Sequence, residues 1–191
     1  MIFLVPLVIV AIIVIVFFGG RLDNLLNCKF KYSWLVLVAL GLKAISIFGI
    51  YEILGLPLAV VPYIRILSLF MVVVFVLLNF NLRGLPLVGL GLLSNTLVIL
   101  FNGGNMPVKG DYEYLVFNGS DLDKFKAGFP VDSFILASPS TKLSFLGDVM
   151  SIPWGWQYLK FFSIGDVVIT LGGIIFITYC LRKNTYEKFN N

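Results

Sequence analysis

The chain has 191 residues, of which 59% are hydrophobic and 13% are charged. Because soluble domains carry roughly a quarter charged residues, this composition predicts an integral membrane protein. The formal net charge is only +4 and there is no histidine, which argues against nucleic-acid binding and excludes histidine-dependent catalysis and most catalytic zinc sites. The acidic residues do not follow the spacing of a calcium-binding loop, so we predict neither a metal nor a cofactor.

Five apolar segments are long enough to cross a hydrocarbon layer of about 30 Å. They cover residues 2–18, 33–54, 58–80, 85–101 and 161–181. The first has neither the basic flank nor the small-residue cleavage site of a signal peptide, so we expect it to be retained. We therefore predict an all-α integral membrane fold, a bundle of about five transmembrane helices that forms one domain over residues 1–191.

The basic residues between these segments predict an orientation. One side of the bundle holds seven basic residues against two acidic ones, Asp23 and Glu187. The seven are Arg21, Lys29, Lys31, Arg83, Arg182, Lys183 and Lys188. Because Lys and Arg accumulate in cytoplasmic loops, we predict the N-terminus outside and the C-terminus inside. Cys28 and Cys180 then lie at helix ends on the reducing side, which predicts two free thiols instead of a disulfide.

Charged residues within the predicted spans mark a second feature, since an unpaired charge there costs about 2.5–3.5 kcal/mol. They are Lys43, Glu52, Arg65 and Asp166. Glu52 and Arg65 flank the turn near Leu58 at similar distances, which predicts an ion pair. Lys43 lies about 11 residues, or ~16 Å, into its span, and its side chain can extend towards Asp166 or Asn95. Glu52, Arg65, Asp166 and Asn95 are predicted to form one polar layer in the outer leaflet, towards which Lys43 extends. This polar layer is either a binding site or a self-neutralising cluster that fixes helix packing.

The one long interruption of the apolar pattern is residues 102–160, called the insert below. We predict that it is extracytoplasmic and folds back onto the bundle as a lid, because Trp154, Trp156 and Tyr158 are typical of the headgroup level. It begins with Asn102-Gly103-Gly104-Asn105-Met106-Pro107, which predicts a shaped turn. A helix cap needs only one glycine, so the second favours backbone N–H groups that line a site. The alternative is a helix cap followed by a surface loop.

Two aspartates share a local pattern, Gly147-Asp148-Val149 and Gly165-Asp166-Val167. A preceding glycine lets another backbone approach each carboxylate, and two neighbouring carboxylates can share a proton for acid–base chemistry. Alternatively, each aspartate stabilises the N-terminus of a helix.

Several strings together resemble a known family. They are Gly-Gly-Arg-Leu at 19–22, Asn95, Asn-Gly-Gly-Asn-Met-Pro-Val at 102–108, Leu-Gly-Asp at 146–148 and Ser-Ile-Gly-Asp at 163–166. In these strings, and over essentially the whole chain, the sequence resembles an uncharacterised bacterial multipass family, domain of unknown function 5317. The resemblance implies a bacterial inner-membrane protein and supplies no activity, substrate or catalytic residue.

Two functions are compatible with these patterns. The first is a membrane module that binds a small ligand or lipid, or that forms a complex with a partner membrane protein or a second copy; its partners are the bilayer and such a subunit, not nucleic acid. The second is a membrane-embedded enzyme that uses Asp148 and Asp166 as a carboxylate pair, in the manner of aspartyl hydrolases. Transport has less support, because there is no internal repeat and one deep charge, Lys43.

Overall fold

The computed structural model describes residues 4–110, 119–151 and 161–189. Within these ranges most of the chain is helical. The α-helices are α1 (Leu4–Phe18), α2 (Leu22–Leu26), α3 (Trp34–Ile47), α4 (Ile50–Ile53), α5 (Val61–Leu78), α6 (Leu85–Phe101), α7 (Gly119–Lys126) and α8 (Ile164–Phe189). Short 3-10 turns precede α5 at Leu58–Val60 and occur in the insert at Ser144–Leu146.

All five predicted apolar segments form helices. By length and composition, two stretches could cross a membrane, Leu58–Leu78 and Ile164–Arg182, and three shorter apolar helices accompany them. The second segment ends earlier than predicted, because Gly49 adopts a left-handed conformation with φ of 67° and separates α3 from α4. Lys43 consequently lies four residues from the end of α3, or ~6 Å, and not deep within a long span.

The apolar helices pack side by side in the order α3, α5, α6, α8 and α1. Glycines allow α6 and α8 to approach closely: a Cβ added at Gly91 would overlap the carbonyl oxygen of Gly165, and one at Gly172 would lie 2.6 Å from the backbone nitrogen of Val88. The outer faces of the edge helices are apolar, and Phe17 of α1 and Leu37 of α3 are both largely exposed.

The insert departs from the all-α prediction because it contains a small parallel sheet. Strand β1 (Met106–Val108) pairs with β2 (Phe134–Leu136), with Met106 opposite Phe134. Asp148 pairs with Val108 along the other edge of β1, where the N–H of Asp148 donates to the carbonyl of Pro107. Val108, Phe125 and Val131 form a buried core beneath the sheet.

The insert folds back against the ends of α5 and α6. Asn102 fixes one contact, because its Nδ2 donates to the Lys142 carbonyl at 2.8 Å and its Oδ1 accepts the Lys142 N–H at 3.1 Å. A second contact is at Gly104, where an added Cβ would lie 2.7 Å from Cβ of Pro62. The aromatic cluster predicted at residues 154–158 lies outside the described residues.

The opposite end of the helix row is closed by a disulfide between Cys28 and Cys180, whose Cα atoms are 6.3 Å apart. The prediction of two free thiols is therefore wrong. The bond forms because α2 packs on the end of α8, where the Leu181 carbonyl accepts both the Arg21 N–H at 3.1 Å and Asn24 Nδ2 at 2.9 Å.

Asn79 fastens the same segment to the end of α5. Its Oδ1 accepts the Lys31 N–H at 2.7 Å, while its Nδ2 donates to the carbonyls of Lys31 at 2.9 Å and Phe75 at 2.8 Å. The connection between α2 and α3 is thus joined to α8 through Cys28 and to the end of α5 through Lys31.

Candidate functional site

Asp166 lies at the junction of α6 and α8, in the first turn of α8. Its Oδ2 accepts the Ser163 N–H at 3.0 Å, and the Ser163 hydroxyl accepts the Asp166 N–H at 3.1 Å. This reciprocal pair is a capping box, which satisfies two donors at the helix start. Asn95 completes the network, because its Nδ2 donates to Asp166 Oδ1 at 2.9 Å and its Oδ1 accepts the Ser163 hydroxyl at 2.9 Å. The helix-capping alternative is confirmed for Asp166.

Asp148 differs from Asp166 in having a buried carboxyl oxygen, Oδ1, to which no described residue donates a hydrogen bond. The residue is only 8% exposed, and its Oδ1 is buried with no hydrogen bond. Its backbone is held in place, because its N–H donates to Pro107 at 2.8 Å and its carbonyl accepts the Lys109 N–H at 3.3 Å. An unpartnered buried polar atom on a fixed backbone is uncommon in a folded protein and marks a candidate binding position.

Burial and, secondarily, the negative charge of Asp166 raise the pKa of Asp148 to about 7. The two aspartates identified by their shared sequence pattern are therefore close enough to interact electrostatically. No hydrogen bond joins their carboxyl groups, and no lysine or arginine among the described residues forms an ion pair with either. The arrangement can bind a hydrogen-bond donor or a cation, and Asp148 can exchange a proton near neutral pH.

Among the described residues, no three His, Cys, Asp or Glu side chains cluster as metal ligands.

Arg65 forms a separate polar cluster between α3, α5 and the start of the insert. Its Nε donates to the Ser46 hydroxyl at 2.7 Å, and one terminal nitrogen donates to Asn105 Oδ1 at 3.3 Å. The predicted ion pair with Glu52 is not formed. Because the break at Gly49 places Glu52 on the separate helix α4, this carboxylate is exposed and accepts the Tyr51 hydroxyl at 3.2 Å instead.

The turn at residues 102–107 uses its backbone donors internally. The N–H groups of Gly104 and Met106 donate to the carbonyls of Ile99 at 2.9 Å and Ser133 at 2.7 Å. Gly103 and Gly104 both have positive φ, and Gly104 is also required to be small by its contact with Pro62. The second glycine thus serves a close backbone contact, and the N–H groups of Gly104 and Met106 are not free to line a site.

The predicted polar layer therefore divides into two clusters. Asn95 and Asp166 lie together near Asp148, whereas Arg65 binds Asn105. Lys43 is exposed on α3 and joins neither through a hydrogen bond or ion pair with a described residue. Sequence reasoning missed two serines, Ser46 and Ser163. The second has a local signal, since Ser163 and Asp166 have the spacing of a capping box, whereas Ser46 is identified only by the packing of α3 on α5.

The family of unknown function DUF5317 matches residues 27–178, which is most of the chain. An uncharacterized protein of Thermotoga maritima is similar, with 28% identity over 166 residues that cover 87% of this chain and 85% of that protein. No solved structure matches this chain.

Proposed function

This chain belongs to the family of unknown function DUF5317, and we propose that it is a multipass protein of the bacterial cytoplasmic membrane that binds an ammonium-bearing small ligand or lipid. Five apolar helices arranged in a row, with apolar outer faces, support the membrane location. The similar protein in Thermotoga maritima supports the bacterial setting. Asp148 and Asp166, called the carboxyl pair below, are the proposed binding groups.

The proposed orientation places the insert outside, because the opposite end carries the seven basic residues found by the sequence analysis. The disulfide at that basic end argues the other way, since such bonds are rare in the cytosol. We favour the charge argument because seven basic residues stand against two acidic ones at this end. A reporter enzyme active only outside the cytoplasm should be inactive when fused after Asn191 and active when inserted at the exposed turn between Ser138 and Pro139. The reverse pattern would overturn the orientation.

One observation carries the ligand proposal, namely the unpartnered buried Oδ1 of Asp148 beside a second carboxylate. A buried acceptor is stabilised by a donor, and the mutual repulsion of two carboxylates is relieved by a positive charge between them. An ammonium group supplies both the hydrogen-bond donor and the positive charge. The Asp166 oxygens are already bonded to Asn95 and Ser163, so Asp148 supplies the new hydrogen bond and Asp166 the electrostatic attraction.

The aspartyl hydrolase alternative has less support. Such a mechanism uses two carboxyl groups that share a proton, and the carboxyl groups of Asp148 and Asp166 are not hydrogen-bonded to each other. The role of Asp166 in capping α8 also accounts for its position without catalysis.

The proposal is tested with ethanolamine and ethylene glycol, two probes of similar size of which only the first carries an ammonium group. We expect ethanolamine, at ionic strength matched with NaCl, to raise the unfolding temperature of the detergent-purified protein at pH 8, and ethylene glycol to have no effect. Because protons compete for Asp148, the affinity should fall about tenfold per pH unit below the pKa of about 7.

The variant Asp148→Asn should lose at least tenfold in ethanolamine affinity, because the neutral amide removes the charge that attracts the ammonium group. Asp123→Asn is the matched control, since Asp123 is exposed on α7 and should leave binding unchanged. Equal stabilisation by both probes, or an undiminished response in Asp148→Asn, would refute the carboxyl pair as the binding site.

A further inference from the structure

Arg65 carries a positive charge that the described residues hold in place without forming an ion pair with it. Its partners, Ser46 and Asn105, are both buried and uncharged. A guanidinium group has five N–H donors, and these two residues accept only two of them. Asp132 of the insert acts on Arg65 electrostatically but forms no ion pair with it.

Lys43 provides a second positive charge next to the same cluster. It precedes Ser46 by three residues on α3, and side chains at this spacing lie on one face of a helix. Ala39, one turn earlier on that face, accepts the Ser68 hydroxyl of α5 at 2.8 Å. Lys43 therefore lies between two residues that contact α5, one of which is the Ser46 partner of Arg65. Its side chain is exposed and has no hydrogen bond or ion pair to a described residue.

Both cations lie at the same depth beneath the insert end of the helices. Lys43 is four residues before the end of α3 and Arg65 is four residues after the start of α5, so each is ~6 Å from a helix end. Tyr63, two residues before Arg65, is 71% exposed, and exposed tyrosines are typical of the membrane headgroup level. In the proposed membrane location, side chains at this depth can extend to the lipid phosphates.

We infer that Arg65 and Lys43 bind the phosphate of an anionic phospholipid where α3 packs on α5. The fixed guanidinium plane presents parallel N–H donors that match phosphate oxygens, and the flexible lysine adds a second charge from the neighbouring helix. Ser46 and Asn105 position the guanidinium. This site is separate from the carboxyl pair, which attracts the opposite charge.

Native mass spectrometry of the detergent-purified protein, titrated with phosphatidylglycerol or with phosphatidylcholine, tests the inference. We expect one phosphatidylglycerol to bind at least tenfold more tightly than phosphatidylcholine. Lys43→Gln and Arg65→Gln should each lose about tenfold in this affinity, whereas Lys29→Gln, which removes an exposed lysine at the other end of the row, should stay within twofold of the parent protein. Ethanolamine binding should be unchanged in both site variants.

An equal loss in Lys29→Gln, or no preference for phosphatidylglycerol, would overturn the inference, because either result indicates only general attraction between charges. Inorganic phosphate provides the second arm of the test. If phosphate displaces phosphatidylglycerol when both are present at the same concentration, the site binds free phosphate and the lipid inference is overturned. If Arg65→Gln does not fold, Lys43→Gln and Arg65→Lys still decide the matter. We expect Arg65→Lys, which keeps the charge and loses the planar donors, to bind the lipid more weakly than the parent protein.

Discussion

The two ends of the helix row both contain buried polar side chains, and Asn24 and Asn79 at one end differ from Asp148 at the other in whether their polar atoms have partners. At the disulfide end, the side-chain amides of Asn24 and Asn79 are buried and donate to backbone carbonyls. At the insert end, Asp148 has a buried carboxyl oxygen without a partner, and Arg65 has a charge that is not balanced by an ion pair.

This difference separates structural polarity from candidate function. Buried polar groups are usually satisfied because leaving one unpaired costs roughly 1–3 kcal/mol. The asparagines at the disulfide end follow this rule and hold connecting segments on the helix ends. Asp148 departs from it, and the proposed ligand site rests on this difference.

The largest expected effect is the pH dependence that Asp148 imposes on stability. Its pKa rises from 3.8 in the unfolded chain to about 7 in the folded protein, so the folded state binds the proton more tightly and stability falls as the pH rises from about 4 to about 7. At about 1.4 kcal/mol per pKa unit, the fall is on the order of 4 kcal/mol. Chemical unfolding of the protein in detergent at intervals between pH 4 and pH 8 measures it.

Asp148→Asn should abolish this fall, and the variant should gain stability relative to the parent protein as the pH is raised. Asp123→Asn should keep the parental profile, because Asp123 is exposed. A parental profile that parallels that of Asp148→Asn would show that the carboxyl group is solvated in the folded state, and the contrast between the two ends would then disappear.

Local sequence patterns predict much of the helical framework. Runs of apolar residues determine where the five long helices occur, and the capping box of Ser163 and Asp166 lies within four residues. The break at Gly49 was not predicted, since glycine is tolerated within many membrane helices. That single residue ends α3 early, moves Lys43 towards the helix end and separates Glu52 from Arg65.

Contacts between distant segments explain the remaining differences. The hydrogen bond between Arg65 and Ser46 depends on which face of α3 packs against α5. The sequence does not determine that face, because both helices are apolar on nearly all sides. The short sheet of the insert joins Met106 to Phe134 and Asp148 to Val108, pairings without a distinct periodic signal. The disulfide joins cysteines 152 residues apart, and it depends on the packing of α2 against α8, which no local sequence pattern indicates.

A smaller effect is expected at the disulfide end. Reduction of the Cys28–Cys180 bond should lower the free energy of unfolding by about 2–4 kcal/mol, the range typical of protein disulfides, because the cross-link restricts the unfolded chain. Unfolding with and without reductant measures the loss without changing the volume of the fully buried Cys180. Cys28→Ala is the control, since reductant has no bond to break in it. The pH dependence due to Asp148 should persist after reduction, because the two ends have no shared partner. Equal stability of the oxidised and reduced protein would mean that hydrogen bonds such as those of Asn24 and Asn79 suffice to fasten this end.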